Sequence, residues 1–410
     1  MVTMRAAVAA LLLAAALAGC SGPGSPAAPA GSASPAAAPD AGAAVAEKIN
    51  AVLAEQSAAL NKGDQAGFLA PAAGNAEVEA TLKKRFAGLR ALGVAEVKQV
   101  VNLGPDRVGE SKRWNAQIRF DYCLGGGGCG VEGPVMTSAW EETANGVKLA
   151  DLDPTSYGPR PWEVDDLVVR KGKRVILATT KAHAAKLKVA LPIAEQAAKV
   201  ADTFAVEGSK PFRYVVYLAD QEQWKTWYSN SSFGDTYAGY ALPSQAEGTD
   251  LVVRLDAYPI DETGTLLRHE MTHLASISHA PRSGGDSAGW WLSEGIASVA
   301  GANGASVREY PPRDTVADYL RKTRSYRGAV TTLAPNRDDG DEEVTAKYGL
   351  GYYASRCIDD KYGRKKLLAL VDAVLRNGED TATAGQRVLG TSWTKVESSC
   401  LAYTRQAVGR

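Results

Sequence analysis

The sequence predicts an α+β protein in two parts. Three observations carry this. Apolar residues recur at helical spacing between Val45 and Leu92, and the period then changes to two between Val94 and Leu152. Tyr157-Gly158-Pro159-Arg160-Pro161 punctuates the chain. Beyond it the pattern restarts as strands mixed with helices and closes in a run of helices. Helices followed by strands suggest a sheet covered on one face. The first part is therefore expected at 45–158 and the second at 164–410.

The elements follow in order. Val45, Ile49, Leu53 and Leu60 place a helix over Val45–Leu60, and Val78, Leu82, Phe86 and Leu89 place another over Glu77–Leu92. Strands are expected at Val94–Leu103, Arg113–Cys123, Val135–Glu142 and Gly146–Leu152, each bounded by Gly, Pro or Asn. Leu167–Thr180 alternates as a hairpin around Lys171-Gly172-Lys173. Thr180–Phe204 reads as one long amphipathic helix with Pro192 a kink site. Strands follow at Phe212–Leu218 and Leu251–Leu255. Helices follow at Thr265–Ser278, Leu292–Gly301, Thr315–Thr323, Thr345–Tyr362 and Lys365–Leu375.

The N-terminus reads as an export signal. A charged start leads into the apolar run Ala6–Leu17, then Leu17-Ala18-Gly19-Cys20. That ending resembles the bacterial lipobox, which implies that residues 1–20 are a signal peptide, that Cys20 carries lipid, and that the protein is membrane-anchored outside the cytoplasm. The Pro-, Ala-, Gly- and Ser-rich stretch 21–44 is expected to be a disordered linker. Four further cysteines sit where disulfides persist, and the expected pairs are Cys123–Cys129 and Cys357–Cys400. Lys+Arg and Asp+Glu balance at 46 each, so nothing favours a nucleic-acid partner. Nothing argues for an oligomer, and a monomer is expected.

Chemistry concentrates in His269-Glu270-Met271-Thr272-His273. The chain has 4 His in all, and His269, His273 and His279 cluster here while His183 reads as surface. On a helix, positions four apart share a face, so both imidazoles reach one Zn²⁺. Glu270 stands beside them as general base. The helix is expected to begin at Asp261 or Thr263, with Glu262 near its positive end. A third ligand is required, and two compete. His279 has the metzincin spacing, but Ser276 stands where that class has Gly, and no Met follows the motif. Glu294 lies within Trp291-Leu292-Ser293-Glu294-Gly295-Ile296-Ala297. The small Gly295 and Ala297 would let this segment pack on the first helix.

That heptapeptide, after an intact His-Glu-x-x-His, resembles the second-helix motif of the gluzincin (peptidase MA-like) zinc metallopeptidases. The resemblance implies Glu294 as third ligand, with His279 the alternative. Where relatives carry a supporting acid, this chain has Ser298. Tyr348-Gly349-Leu350-Gly351-Tyr352-Tyr353 resembles the family's C-terminal helices, which implies Tyr348, Tyr352 or His279 as the oxyanion stabiliser. Leu251–Leu255 resembles the edge strand that pairs with an extended substrate. Trp140-Glu141-Glu142 and Lys148–Leu152 resemble the nuclear-transport-factor-like cone, here in an accessory or spacer role. The function implied is a membrane-anchored, extracytoplasmic zinc endopeptidase acting on peptide or protein substrates. The alternative is a zinc-binding lipoprotein that binds or scaffolds without cutting.

Overall fold

The structure, a computed structural model, describes residues 41–124, 133–156, 158–229, 238–242, 250–277, 289–322, 334–336 and 338–409. Cys20, Cys129 and His279 lie outside the described residues. The fold is α+β, as the two changes of period predict.

The first part opens with α1 (Ala41–Lys62), α2 (Gln65–Leu69) and α3 (Ala76–Leu92). Helix α1 begins inside the stretch expected to be linker, so 41–44 are helical. Asn75 caps α3 by accepting from the Val78 N–H, and Gly93 ends it at φ +86°. Four strands follow in an antiparallel meander of order β1-β2-β3-β4: β1 (Val94–Arg107), β2 (Arg113–Leu124), β3 (Val135–Thr143) and β4 (Gly146–Thr155). Alternation decides the buried face: Trp114, Ala116, Ile118, Phe120 and Tyr122 point inward, and Val45, Ile49 and Leu53 of α1 meet them in one core. The space at its centre, beside Gln56, Arg85 and Gln99, is about the size of a single water.

A short turn, α4 (Pro161–Val164), leads into the second sheet. It contains β5 (Leu167–Lys171) and β6 (Val175–Thr180), the expected hairpin. The expected single helix over Thr180–Phe204 is instead three pieces. Helix α5 (Lys186–Ala201) carries the amphipathic face and holds Pro192 in its interior, between two 3-10 turns at Lys181–His183 and Asp202–Phe204. Next come β7 (Tyr214–Ala219), α6 (Gln221–Thr226), β8 (Gly239–Leu242) and β9 (Asp250–Arg254). The strand order is β5-β6-β7-β9-β8, with β6, β7 and β9 parallel and β8 antiparallel. This corrects the expected edge: 251–255 falls largely in β9, an inner strand between β7 and β8. The edge on that side is β8, whose four residues are too few to show a period.

Both faces of this sheet are covered. Ile176, Ala178, Val215, Tyr217, Tyr240 and Val252 face the core of the first part. Val175, Leu177, Val216, Leu218, Leu251 and Val253, one residue out of step, face α5 and α7 (Gly264–Ile277). A second helical layer follows: α8 (Trp290–Ala302), α9 (Arg313–Lys322), α10 (Asp341–Tyr362), α11 (Arg364–Val371), α12 (Thr381–Leu389) and α13 (Trp393–Ala407). It has its own core, crossed by a Cys357–Cys400 disulfide joining α10 to α13. Cys123 is disulfide-bonded, and its expected partner Cys129 lies outside the described residues. Among the described residues, no helix is long and apolar enough to cross a membrane.

Candidate metal centre

Helix α7 starts at Gly264, with the Leu267 N–H donating to the Thr263 carbonyl. Thr263 thus stands at the expected cap position, but its hydroxyl donates to the Ile260 carbonyl. Leu267, Met271 and Leu274 fix one side of α7 on the sheet. His269 and His273, four residues apart, emerge together on another side.

Helix α8 lies alongside and brings Glu294 to them. The Arg268 guanidinium donates to the Gly301 carbonyl at 2.9 and 2.7 Å, locking the end of α8 to α7. A Cβ at Gly301 would lie 3.4 Å from the Thr265 carbonyl oxygen, so the two helices approach closely there. Gly295 serves a different contact from the one expected. A Cβ there would lie 2.2 Å from Ser355 Oγ and 2.3 Å from the Gly351 carbonyl oxygen, so it seats α8 on α10 and not on α7. Gly351 answers it, because a Cβ at Gly351 would lie 2.9 Å from the Trp291 carbonyl oxygen.

Three ligand atoms converge. His269 Nε2 and His273 Nε2 are 3.2 Å apart, and Glu294 Oε2 lies 3.3 Å from the first and 3.6 Å from the second. Ligands at 2.0–2.1 Å on a tetrahedral ion stand about 3.3 Å from one another. The side chains are almost wholly buried, and neither Glu294 oxygen closes a hydrogen bond. Two imidazoles and a buried carboxylate at this spacing fit zinc in type, number and geometry. Among the described residues this is the one group of three His, Cys, Asp or Glu so arranged. Ser293 Oγ lies 3.4 Å from His273 Nδ1, on the ring edge away from the other ligands.

Electrostatics match the grouping. Burial pushes the Glu294 carboxyl up, but the adjoining imidazoles outweigh it and hold it at about 2. Burial pushes His273 down, and Glu294 overcomes that to leave it raised. Glu270 is fully buried, and burial raises its carboxyl. It faces the Ala241 backbone N–H of the edge strand, yet neither of its oxygens closes a hydrogen bond.

The expected tyrosines separate. Tyr352 is fully buried, stacked on Tyr310 at 3.7 Å with rings 13° apart, and its hydroxyl has no hydrogen-bond partner. Tyr348 is half-buried and meets Trp290 edge-on at 4.9 Å, one turn before Glu294. His183 is partly exposed and pairs with Asp220 at 2.9 Å, far along the chain from these ligands. Tyr310, Arg268 and Ala241 gave no signal in the sequence. Tyr310 stacks on Tyr352, and its hydroxyl is near enough to Ser298 and Glu294 for both to act on it.

No family model matches the chain, and no curated protein does. Solved structures similar to it include a two-domain M1 zinc metallopeptidase bound to L-arginine, at 13% identity and a TM-score of 0.38, covering 76% of this chain and 63% of that one. The M1 zinc metallopeptidase from Deinococcus radiodurans is 15% identical at a TM-score of 0.37, with coverage of 76% and 63%. Native yeast LTA4 hydrolase is 13% identical at a TM-score of 0.36, covering 66% of this chain and 42% of that one. The chain thus spans about 63% of the length of the first two. At these scores the likeness is partial, and the function rests on the geometry of the site itself.

Proposed function

We propose that this chain is a zinc-dependent endopeptidase in which His269, His273 and Glu294 hold the metal and Glu270 is the general base. The observation that carries the proposal is the convergence of the three ligand atoms at tetrahedral spacing beside a buried, unpartnered Glu270. Zinc, when bound, supplies a Lewis acid that polarises a peptide carbonyl and lowers the pKa of water towards ~7. Glu270 takes the proton of the attacking water and passes it to the departing amine. Strand β8 ends its sheet beside Glu270, and an extended substrate pairs with that edge. Tyr348, half-buried beside Trp290, is better placed than the enclosed Tyr352 to meet the developing oxyanion. Export with a lipid on Cys20 and a tether through the residues after it completes the reading. The buried Cys357–Cys400 bond supports an oxidising compartment.

Glu270→Gln tests the proposal. The variant keeps its zinc, one ion per chain by elemental analysis, while cleavage of an unstructured protein falls by about 10²-fold or more. If the wild type binds zinc and cuts no member of a peptide library, the non-catalytic binding reading takes its place.

A further inference from the structure

The first part of the chain meets the metal-bearing part at a built junction. Pro159 to Glu163 cross between the two sheets, and Trp162 is wholly buried against Phe120 and Tyr122. Gly88 makes room for it, since a Cβ there would stand 2.7 Å from Trp162 Cβ. Arg85 pairs with Glu163 at 2.7 Å, and Glu163 in turn accepts from the Thr155 hydroxyl and the Arg160 N–H. Arg160 is thus fixed by its own backbone.

Its side chain reaches into the second sheet. Arg160 Nη1 donates to Asp250 Oδ2 at 2.9 Å, with both side chains about 95% buried. The Tyr228 hydroxyl donates to the same oxygen at 2.6 Å, and the guanidinium lies 5.6 Å over the Tyr228 ring. Tyr228 is itself held by the Pro159 carbonyl through its backbone N–H. Asp250 opens β9. It stands opposite Leu242 of β8 on one side and Val215 of β7 on the other. The next residue, Leu251, stands opposite Ala241, whose N–H faces Glu270. Arg160 therefore grips the edge hairpin one residue from the position that faces the general base.

We propose that Arg160 is a positioning residue of the substrate site. Through Asp250 it sets the β8–β9 register and the distance from the edge strand to Glu270, which makes the first part of the chain a working component of the peptidase. The inference deepens the peptidase reading and rests on it for the kinetic half of its test. The physical reason lies in the shortness of β8. A four-residue edge strand makes few ladder bonds, so its place depends on what holds its partner's end.

The experiment uses the full-length, zinc-loaded protein. Arg160→Lys keeps the charge and loses the planar fork. Arg160→Met combined with Asp250→Asn removes both charges, so no ion is left buried alone. Amide hydrogen exchange is read first, and it needs no turnover. In the double variant, exchange in β8 and β9 is expected to quicken about tenfold, with α7, α8 and the zinc content unchanged. For a peptide substrate, KM is expected to rise about tenfold while kcat holds, with Arg160→Lys intermediate in both. Unchanged exchange in β8 and β9 overturns the proposal. So does equal loosening of α7 and α8, which marks a purely structural role. Should the double variant not fold, Arg160→Lys alone is read by the same exchange criterion. A wild type that cuts nothing counts against the peptidase reading, and the exchange data still decide on Arg160.

Discussion

His269, His273 and Glu294 converge on one buried point, and the proposed zinc site needs all three. Glu294→Ala is expected to abolish stoichiometric zinc binding, whereas His279→Ala keeps it; elemental analysis after dialysis separates the two, and loss of zinc only in the second would move the third ligand to His279. Gly295 makes a steric prediction. A Cβ there collides with Ser355 and Gly351, so Gly295→Ala is expected to cost about 1–3 kcal/mol and to weaken zinc binding by shifting Glu294. Gly340→Ala is the comparison: a Cβ at Gly340 meets nothing within 4 Å, so the change should cost no more than about 1 kcal/mol, the loss of Gly at the α10 N-cap, and leave zinc binding unchanged. Urea unfolding and zinc titration of both variants check this pair. The grouping of His269, His273 and Glu294 was legible because helix spacing alone places two of them together and a short motif carries the third. Tyr310 was not, because its approach to Ser298 depends on how the chain returns after α8. The partner of Gly295 was misread for a related reason: a small residue says that something packs closely, without saying what.

Elements with long alternation or long helical stripes were legible in the same way. The four strands of the first sheet and helices α1, α3, α7 and α8 follow from period alone. Strand β8 did not, and neither did the break of α5 into turns at both ends, where local hydrogen bonds decide. Asp202, in the turn after α5, shows what such an end contributes. It receives Arg174 Nε and Nη2 at 3.0 and 2.9 Å and the Tyr214 hydroxyl at 3.0 Å, tying the helix end to the start of β6 and β7. Burial pushes its carboxyl up, and hydrogen bonds from Arg174, Lys210 and Tyr214 outweigh that, so its folded pKa lies below the ordinary 3.8. A depressed value means that the stabilisation is fully present above 3.8 and is lost as pH falls through the folded value. Asp202→Asn is therefore expected to cost about 1.5–3 kcal/mol at neutral pH. The gap to wild type should narrow as pH falls below 3.8. Thermal melts of both proteins across pH check this, and a gap that stays constant into acid would rule the ion pair out as its source.

At the scale of the whole molecule, the period-two pattern announced two sheets but not how they meet. Sheet order depends on contacts between distant residues, and no local pattern encodes them. The outcome is a set of shared elements. The second sheet gives one face to the core of the first part and the other to α5 and α7. Helices α7 and α8 then link that layer to the helical core through Arg268 and Gly301. No layer can open without exposing apolar surface of the next, and at roughly 25 cal/mol per Å² that exposure is costly. Calorimetry of the zinc-loaded protein is therefore expected to show one transition, with calorimetric and van't Hoff enthalpies in a ratio near 1. Zinc held at about 100 times its dissociation constant adds about 2.7 kcal/mol through mass action. Chelation should accordingly move the whole peak to lower temperature. If the peak instead splits, with a component that ignores the chelator, the first part melts by itself and the shared sheet does not couple the layers. A single peak that moves intact shows that metal bound between α7 and α8 stabilises the meander on the far side of the sheet. That coupling is the energetic counterpart of Arg160 reaching across to Asp250.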